Sequence, residues 1–147
     1  MTKLKFYQPN KTSKKSSKAI FEYDKRKDGW TLLEEGQLDK KQETLEIISF
    51  LENGESYVTG TLMRKRAIKM GGLVGQHHAE QILKQVSDIP DEWKKWYLVF
   101  PGTTWRNPDG DVCVPYLFFY GDEWVLDFRR VGNDGWNVYD RVVRVCK

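Results

Sequence analysis

Apolar and polar positions along the chain change period several times, and each change marks an element. Ala19, Phe21 and Tyr23 fall on one face of an extended segment, with Glu22 and Asp24 on the other. That period of two predicts a strand. Lys27-Asp28-Gly29 supplies a turn, and residues 30–33 start the return strand of a first hairpin. Residues 36–42 are polar and read as loop. A short apolar run over 45–51 precedes Asn53-Gly54, the strongest short hairpin signal because both residues tolerate positive φ. Residues 56–59 are the expected return strand of this second hairpin.

The period then turns helical. Thr61 is placed as an N-cap, and residues 62–70 are rich in helix formers. Gly71-Gly72 breaks that helix. Val74, His78, Ile82 and Val86 recur every four residues, which predicts a second helix over about 75–86, with Glu80 and Lys84 paired on its polar side. Residues 88–93 read as a short capped helical turn around Pro90. From Tyr97 onward the chain reads as strands over 97–100, 111–120, 123–131 and 137–146, with turns at Asn107-Pro108-Asp109-Gly110, Gly121-Asp122 and residues 132–135. The run around Val114, Leu117 and Phe119 is apolar on both faces, so this strand is expected to be central and covered. The predicted fold is α+β: two antiparallel β-hairpins, a broken helix, then a four-stranded antiparallel meander. Residues 1–18 read as a flexible basic arm and 19–147 as a single domain, with the linker at Pro90 allowing lobes 19–88 and 89–147.

Composition narrows the class. A chain of 147 residues is close to one domain, with 31% charged and 14% aromatic residues. That is too aromatic for a disordered chain and too charged for a membrane protein. No stretch approaches the ~18 apolar residues of a spanning helix, and no signal peptide is read at the start. Two cysteines, Cys113 and Cys146, make no disulfide framework, which fits a cytoplasmic chain. The net charge of +3 conceals an asymmetry: residues 1–27 hold nine basic and two acidic side chains, +7, leaving −4 for the rest. A second basic cluster, Arg64, Lys65, Arg66 and Lys69, lies beyond an acidic stretch over 34–55. Such separation suggests an arm with a polyanionic partner.

The chemical motifs are weaker. His77 and Glu80 stand three apart on the predicted second helix and can face one ligand, so a small enzyme using this pair is one alternative. The string is not His-Glu-x-x-His, no third ligand is marked, and His78 on the apolar stripe reads as a core histidine. The cysteines read as small buried apolar groups. Residues 107–111 lack the order of a calcium loop, and residues 71–75 lack a phosphate-loop spacing. No catalytic residue, metal or cofactor is assigned.

Aromatic and basic residues interleave more informatively. Lys94-Lys95-Trp96-Tyr97, Trp105-Arg106, and Tyr23 beside Lys25-Arg26-Lys27 combine rings with cations. Single strands are held this way, with cations on phosphates and rings on bases, at about 1–3 kcal/mol per stacked base. The candidate contacts are Lys14, Lys15, Lys18, Arg26 and Lys27 for phosphates, and Arg64, Arg66 and Lys69 for an extended basic track. Tyr23, Trp96 and Trp105 are the candidate stacking rings, with Arg106 beside Trp105. Trp30, Trp124 and Trp136 are placed in the core.

The opening Lys3-Leu4-Lys5-Phe6-Tyr7-Gln8-Pro9-Asn10, then residues 19–24, Asp28-Gly29 and a return strand, resembles the PC4/Whirly-like single-stranded DNA-binding proteins over residues 3–86. The resemblance implies a basic N-terminus, antiparallel strands and a helix, a sheet face for single strands, and a homodimer. The first expectation is therefore a nucleic-acid-binding protein, single-stranded and weakly sequence-specific, without enzymatic activity. The alternative from another class is a protein-interaction module, an inhibitor or adaptor of phage or mobile-element type. Its interface is the aromatic C-terminal sheet, since aromatics and arginine anchor such surfaces. No membrane partner is expected.

Overall fold

A computed structural model of the chain describes residues 3–7, 21–36, 42–71, 74–132 and 135–146. In chain order the elements are β1 (Leu4–Tyr7), a 3-10 turn (Lys25–Asp28), β2 (Thr31–Glu35), β3 (Gln42–Ile48), β4 (Tyr57–Val58), α1 (Gly60–Lys69) and α2 (Gln76–Leu83). Two 3-10 turns (Val86–Asp88, Asp91–Lys95) lead to β5 (Tyr97–Val99), β6 (Thr103–Arg106), β7 (Val112–Tyr120), β8 (Glu123–Arg130), β9 (Trp136–Asn137) and β10 (Asp140–Val145). The α+β class stands, and so do the two helices with a break after Met70.

The helix starts follow from local chemistry. Thr59, two residues before the expected cap, accepts the Leu62 amide on its hydroxyl and closes the first turn of α1. Gly60 sits where a Cβ would lie 1.7 Å from the Val131 carbonyl oxygen, so only glycine lets α1 dock on the strand end. Gly75 precedes α2 under the same constraint: a Cβ there would lie 2.3 Å from Thr103 Oγ1 and 2.8 Å from the Glu35 carbonyl.

The strand pairing differs from the expected hairpins and meander. β3 lies between β1 and β10, antiparallel to both, and β10 then runs parallel to β5. β7 carries β5 and β6 along one edge and β8 along the other, and β6 pairs with β2. β4 leaves the main sheet to pair with β9. Asn53-Gly54 does turn the chain, with Gly54 at φ +87° and the Glu55 amide on the Glu52 carbonyl, but the strands around it find other partners. The first hairpin is also corrected: residues 21–24 are not a strand, because the Glu22 and Tyr23 amides donate to the Glu80 carboxylate instead of a ladder. Residues 4–7 of the expected arm are β1 of the main sheet. Residues 8–20 lie outside the described residues, and Lys14, Lys15 and Lys18 with them.

Alternation along the strands divides two cores. Leu98, Leu117, Leu126 and Val143 face α2 and Trp93, together with Leu4, Leu45, Ala79 and Ile82. Val99, Val114 and Val142 face α1 through Met63 and Ala67, together with Phe50, Val58 and Trp136. β7 is central, as expected, with neighbours along both edges. No helix among the described residues is long and apolar enough to cross a membrane.

Candidate functional site

Among the described basic residues singled out in the sequence, three arginines are committed within the chain. Arg26 grips the Asp24 carboxylate with two donors at 2.8 Å each, which holds Asp24 below the usual carboxylate range. Arg64 donates to Glu34 at 2.8 Å and to the Pro101 carbonyl. Arg66 donates to both Glu55 oxygens, at 2.6 and 3.0 Å, and to the Phe50 carbonyl. That guanidinium pulls the Glu55 carboxyl down to about 2. These three arginines tie neighbouring segments together and do not form an open basic track. Lys27, Lys69 and Arg106 are exposed.

Trp105 is corrected outright. It is fully buried, its indole N–H donates to Gln76 Oε1 at 2.8 Å, and Phe21 and Phe128 pack against its ring. The turn that follows it did not expose it, because β6 is covered on that face by α2 and the 21–30 segment. Trp136 is buried as expected, whereas Trp30 and Trp124 are half-buried.

The His77–Glu80 pair is likewise committed. Glu80, 6% exposed, accepts the Glu22 and Tyr23 amides at 3.1 and 2.9 Å and the Gln76 side-chain amide at 3.0 Å. His77 stacks on Phe21 with ring centroids 4.4 Å apart. His78 is buried; its Nδ1 accepts from the Gly75 amide at 3.4 Å, so Nε2 donates to Glu43 at 3.2 Å. Gln76 completes the set by donating to the Tyr23 carbonyl. This polar cluster latches the incoming chain onto α2. Among the described residues no three His, Cys, Asp or Glu side chains group as metal ligands. Burial pushes the Cys113 thiol up, away from the reactive thiolate.

Exposed and half-buried rings gather elsewhere. Cross-strand partners share a face, so the register Val99↔Tyr116 continues the α1-side face of the sheet past the end of α1's cover. Beyond it stand Tyr97 of β5 and Tyr116 and Phe118 of β7, on adjacent strands. Tyr97 meets Tyr116 and Phe118 edge-on at 6.0 and 6.1 Å, and Tyr116 stacks on Phe118 at 5.3 Å. Burial, then the Asp127 carboxylate, pushes the Tyr116 phenol up, so it stays neutral. Tyr97 is 43% exposed and Tyr139 60%.

A recess of about 280 Å³ opens at the edge of this face, lined by Tyr97, Phe118, Tyr139, Trp96, Lys94 and Lys95. Cations stand over rings at this sheet edge, Lys94 also paired with Asp91 at 3.1 Å and Arg141 also donating to the Val138 and Asp140 carbonyls. Arg141 lies 3.8 Å over the Trp96 ring, Lys95 5.2 Å over the same ring, and Lys94 4.5 Å over Phe119. Of the sequence candidates the site keeps Trp96. Tyr23 is exposed, but beside a second groove formed with Leu83, Val86 and Trp124. Tyr97 and the two lysines were visible as an interleaved string. Tyr116 and Phe118 were missed because a strand apolar on both faces reads as covered on both, and Tyr139 because it was placed within a strand and lies in the turn between β9 and β10. The signal that marks them is hydroxyl-bearing rings at 97, 116 and 139, since a tyrosine leaves its polar tip wet. Comparison with protein-family models, curated proteins and solved structures found no match for this chain.

Proposed function

We propose that the chain binds single-stranded nucleic acid, weakly sequence-specific, on the open aromatic face of its sheet. The observation that carries this reading is the trio Tyr97, Tyr116 and Phe118 side by side on adjacent strands, opening into a ring-lined recess that Lys94 and Lys95 also line. Unpaired bases stack on such platforms, and cations beside them hold the phosphates. The site therefore moves from the arginines of α1 to the sheet. The lysine-rich segment before residue 28 supplies long-range attraction to the same ligand.

The test is fluorescence anisotropy with labelled single-stranded oligonucleotides at about 50 mM salt, followed over a salt series. Saturable micromolar binding that weakens steeply with salt is expected, and Tyr97→Ala should lower affinity about tenfold, the loss of one stacked ring. Absence of binding, or a Tyr97→Ala variant that binds like the parent, contradicts the reading.

A second reading is favoured by a separate observation. Arg26, Arg64 and Arg66 are held in internal ion pairs, so the described body offers little of a basic track, while the same aromatic face has the composition of a protein-binding hot spot. A protein partner retained on the chain after nuclease treatment, and lost with Tyr97→Ala, supports this alternative.

A further inference from the structure

An asparagine side chain is open to attack by the backbone nitrogen of the residue that follows it, which makes asparagine one of the thermolabile residue types. Three asparagines fall among the described residues, and their surroundings differ. Asn107 precedes Pro108, which has no N–H to lose, and its Oδ1 accepts from the Asp109 and Asp111 amides at 3.0 and 2.8 Å. Asn137 precedes the β-branched Val138, and its Oδ1 accepts from the Tyr139 amide at 2.9 Å. Asn53 precedes Gly54, and both are exposed. Nothing lies within 4 Å of where a Gly54 Cβ would stand, so that side of the nitrogen is open. Gly54 sits at φ +87°, and the Glu55 amide donates to the Glu52 carbonyl at 3.0 Å, which puts Asn53 and Gly54 at the centre of a turn.

We propose that Asn53 is a site of spontaneous covalent modification, where the side chain cyclises onto Gly54 and reopens as an aspartyl or isoaspartyl link. The Gly54 nitrogen loses its proton and bonds to Asn53 Cγ. The Cγ–Nδ2 bond breaks, and Nδ2 leaves as ammonia with that proton. Water then opens the cyclic imide. Attack at Cγ yields aspartate; attack at the main-chain carbonyl yields isoaspartate, with the chain rerouted through Cβ and Cγ. Nothing is oxidised or reduced. Either product puts a new carboxylate between Glu52 and Glu55. The isoaspartyl link also lengthens a turn that is held at both ends. The Glu52 amide donates to Glu55 Oε1 at 2.7 Å, and Arg66 of α1 grips both Glu55 oxygens at 2.6 and 3.0 Å. The modification therefore loosens the tie between this turn and α1, whatever ligand the aromatic face takes.

The test holds the full chain in alkaline buffer made with heavy-oxygen water and follows each asparagine by peptide mass spectrometry. Amide loss with uptake of solvent oxygen is expected at Asn53, ahead of Asn107 and Asn137. The rate should rise with pH, because the attacking nitrogen must be deprotonated. Gly54→Ala sets a methyl beside that nitrogen and should slow the loss at least about tenfold. The turn is exposed, and circular dichroism verifies that this variant is folded. The isoaspartyl fraction, separated by ion exchange, should unfold at a lower temperature than the parent. An Asn53 that keeps its amide as long as Asn137 does overturns the proposal. So does a folded Gly54→Ala variant that loses the amide at the parent rate, or an isoaspartyl fraction that unfolds with the parent.

Discussion

Individual side chains in this protein do structural work that their types alone conceal. Gln76 shows it most clearly. One buried amide accepts from the Trp105 indole, donates to the Tyr23 carbonyl and donates to Glu80, while its backbone N–H reaches Thr103 Oγ1. A tryptophan beside a basic residue looked like a stacking ring, and a partner 29 positions away in sequence made it a core residue instead. No local pattern carries that information. Glu55 and Arg66 offer a residue-scale prediction. Arg66 holds the Glu55 carboxyl at about 2, against an ordinary 4.5. A depressed carboxylate contributes stability above its ordinary value and loses it as pH falls toward the folded value. Thermal unfolding of the parent and of Glu55→Gln should therefore differ near neutral pH and converge as pH falls from 4.5 to about 2. A gap that persists unchanged at the acid end contradicts the assignment. The pair is half-buried, so high salt should narrow the gap only in part.

At the level of elements, short-range signals succeeded and long-range ones failed. Both helices, the turn at Asn53-Gly54 and the β7–β8 hairpin at Gly121-Asp122 were legible, since caps, glycines and periodicity act within a few residues. The partners of β3, β4 and β10 were not. β10 crosses to lie parallel to β5, and β4 leaves for β9, choices set by which apolar faces the two helices must cover. The seat of α1 shows how strict that geometry is. Gly60→Ala drives a methyl against the Val131 backbone oxygen, where a flexible side chain cannot yield. A loss of about 3 kcal/mol in urea unfolding is expected. A variant as stable as the parent means that α1 does not sit on the end of β8. Glycine near a helix start is ordinarily read as a weak N-cap, so the close approach was hidden from the sequence.

The whole molecule is a sheet with unequal cover. Among the described residues, α2 and Trp93 occupy one face, and α1 covers part of the other and leaves the Tyr97–Tyr116–Phe118 end partly exposed. Charge separation between the lysine-rich start and the acidic remainder was legible at once, because it is additive along the chain. The ring platform was not, because it exists only once β5 and β7 are neighbours. The separation and the platform together underlie the functional reading: attraction at long range from the N-terminal lysines, and contact at short range from the rings. Ultraviolet crosslinking of the full chain to a single-stranded oligonucleotide carrying 4-thiouridine, read out by peptide mass spectrometry, tests that reading most directly. Adducts are expected on Trp96, Tyr97, Tyr116, Phe118 or Tyr139. Adducts confined to other parts of the chain, or none at a concentration where the oligonucleotide is bound, would contradict it.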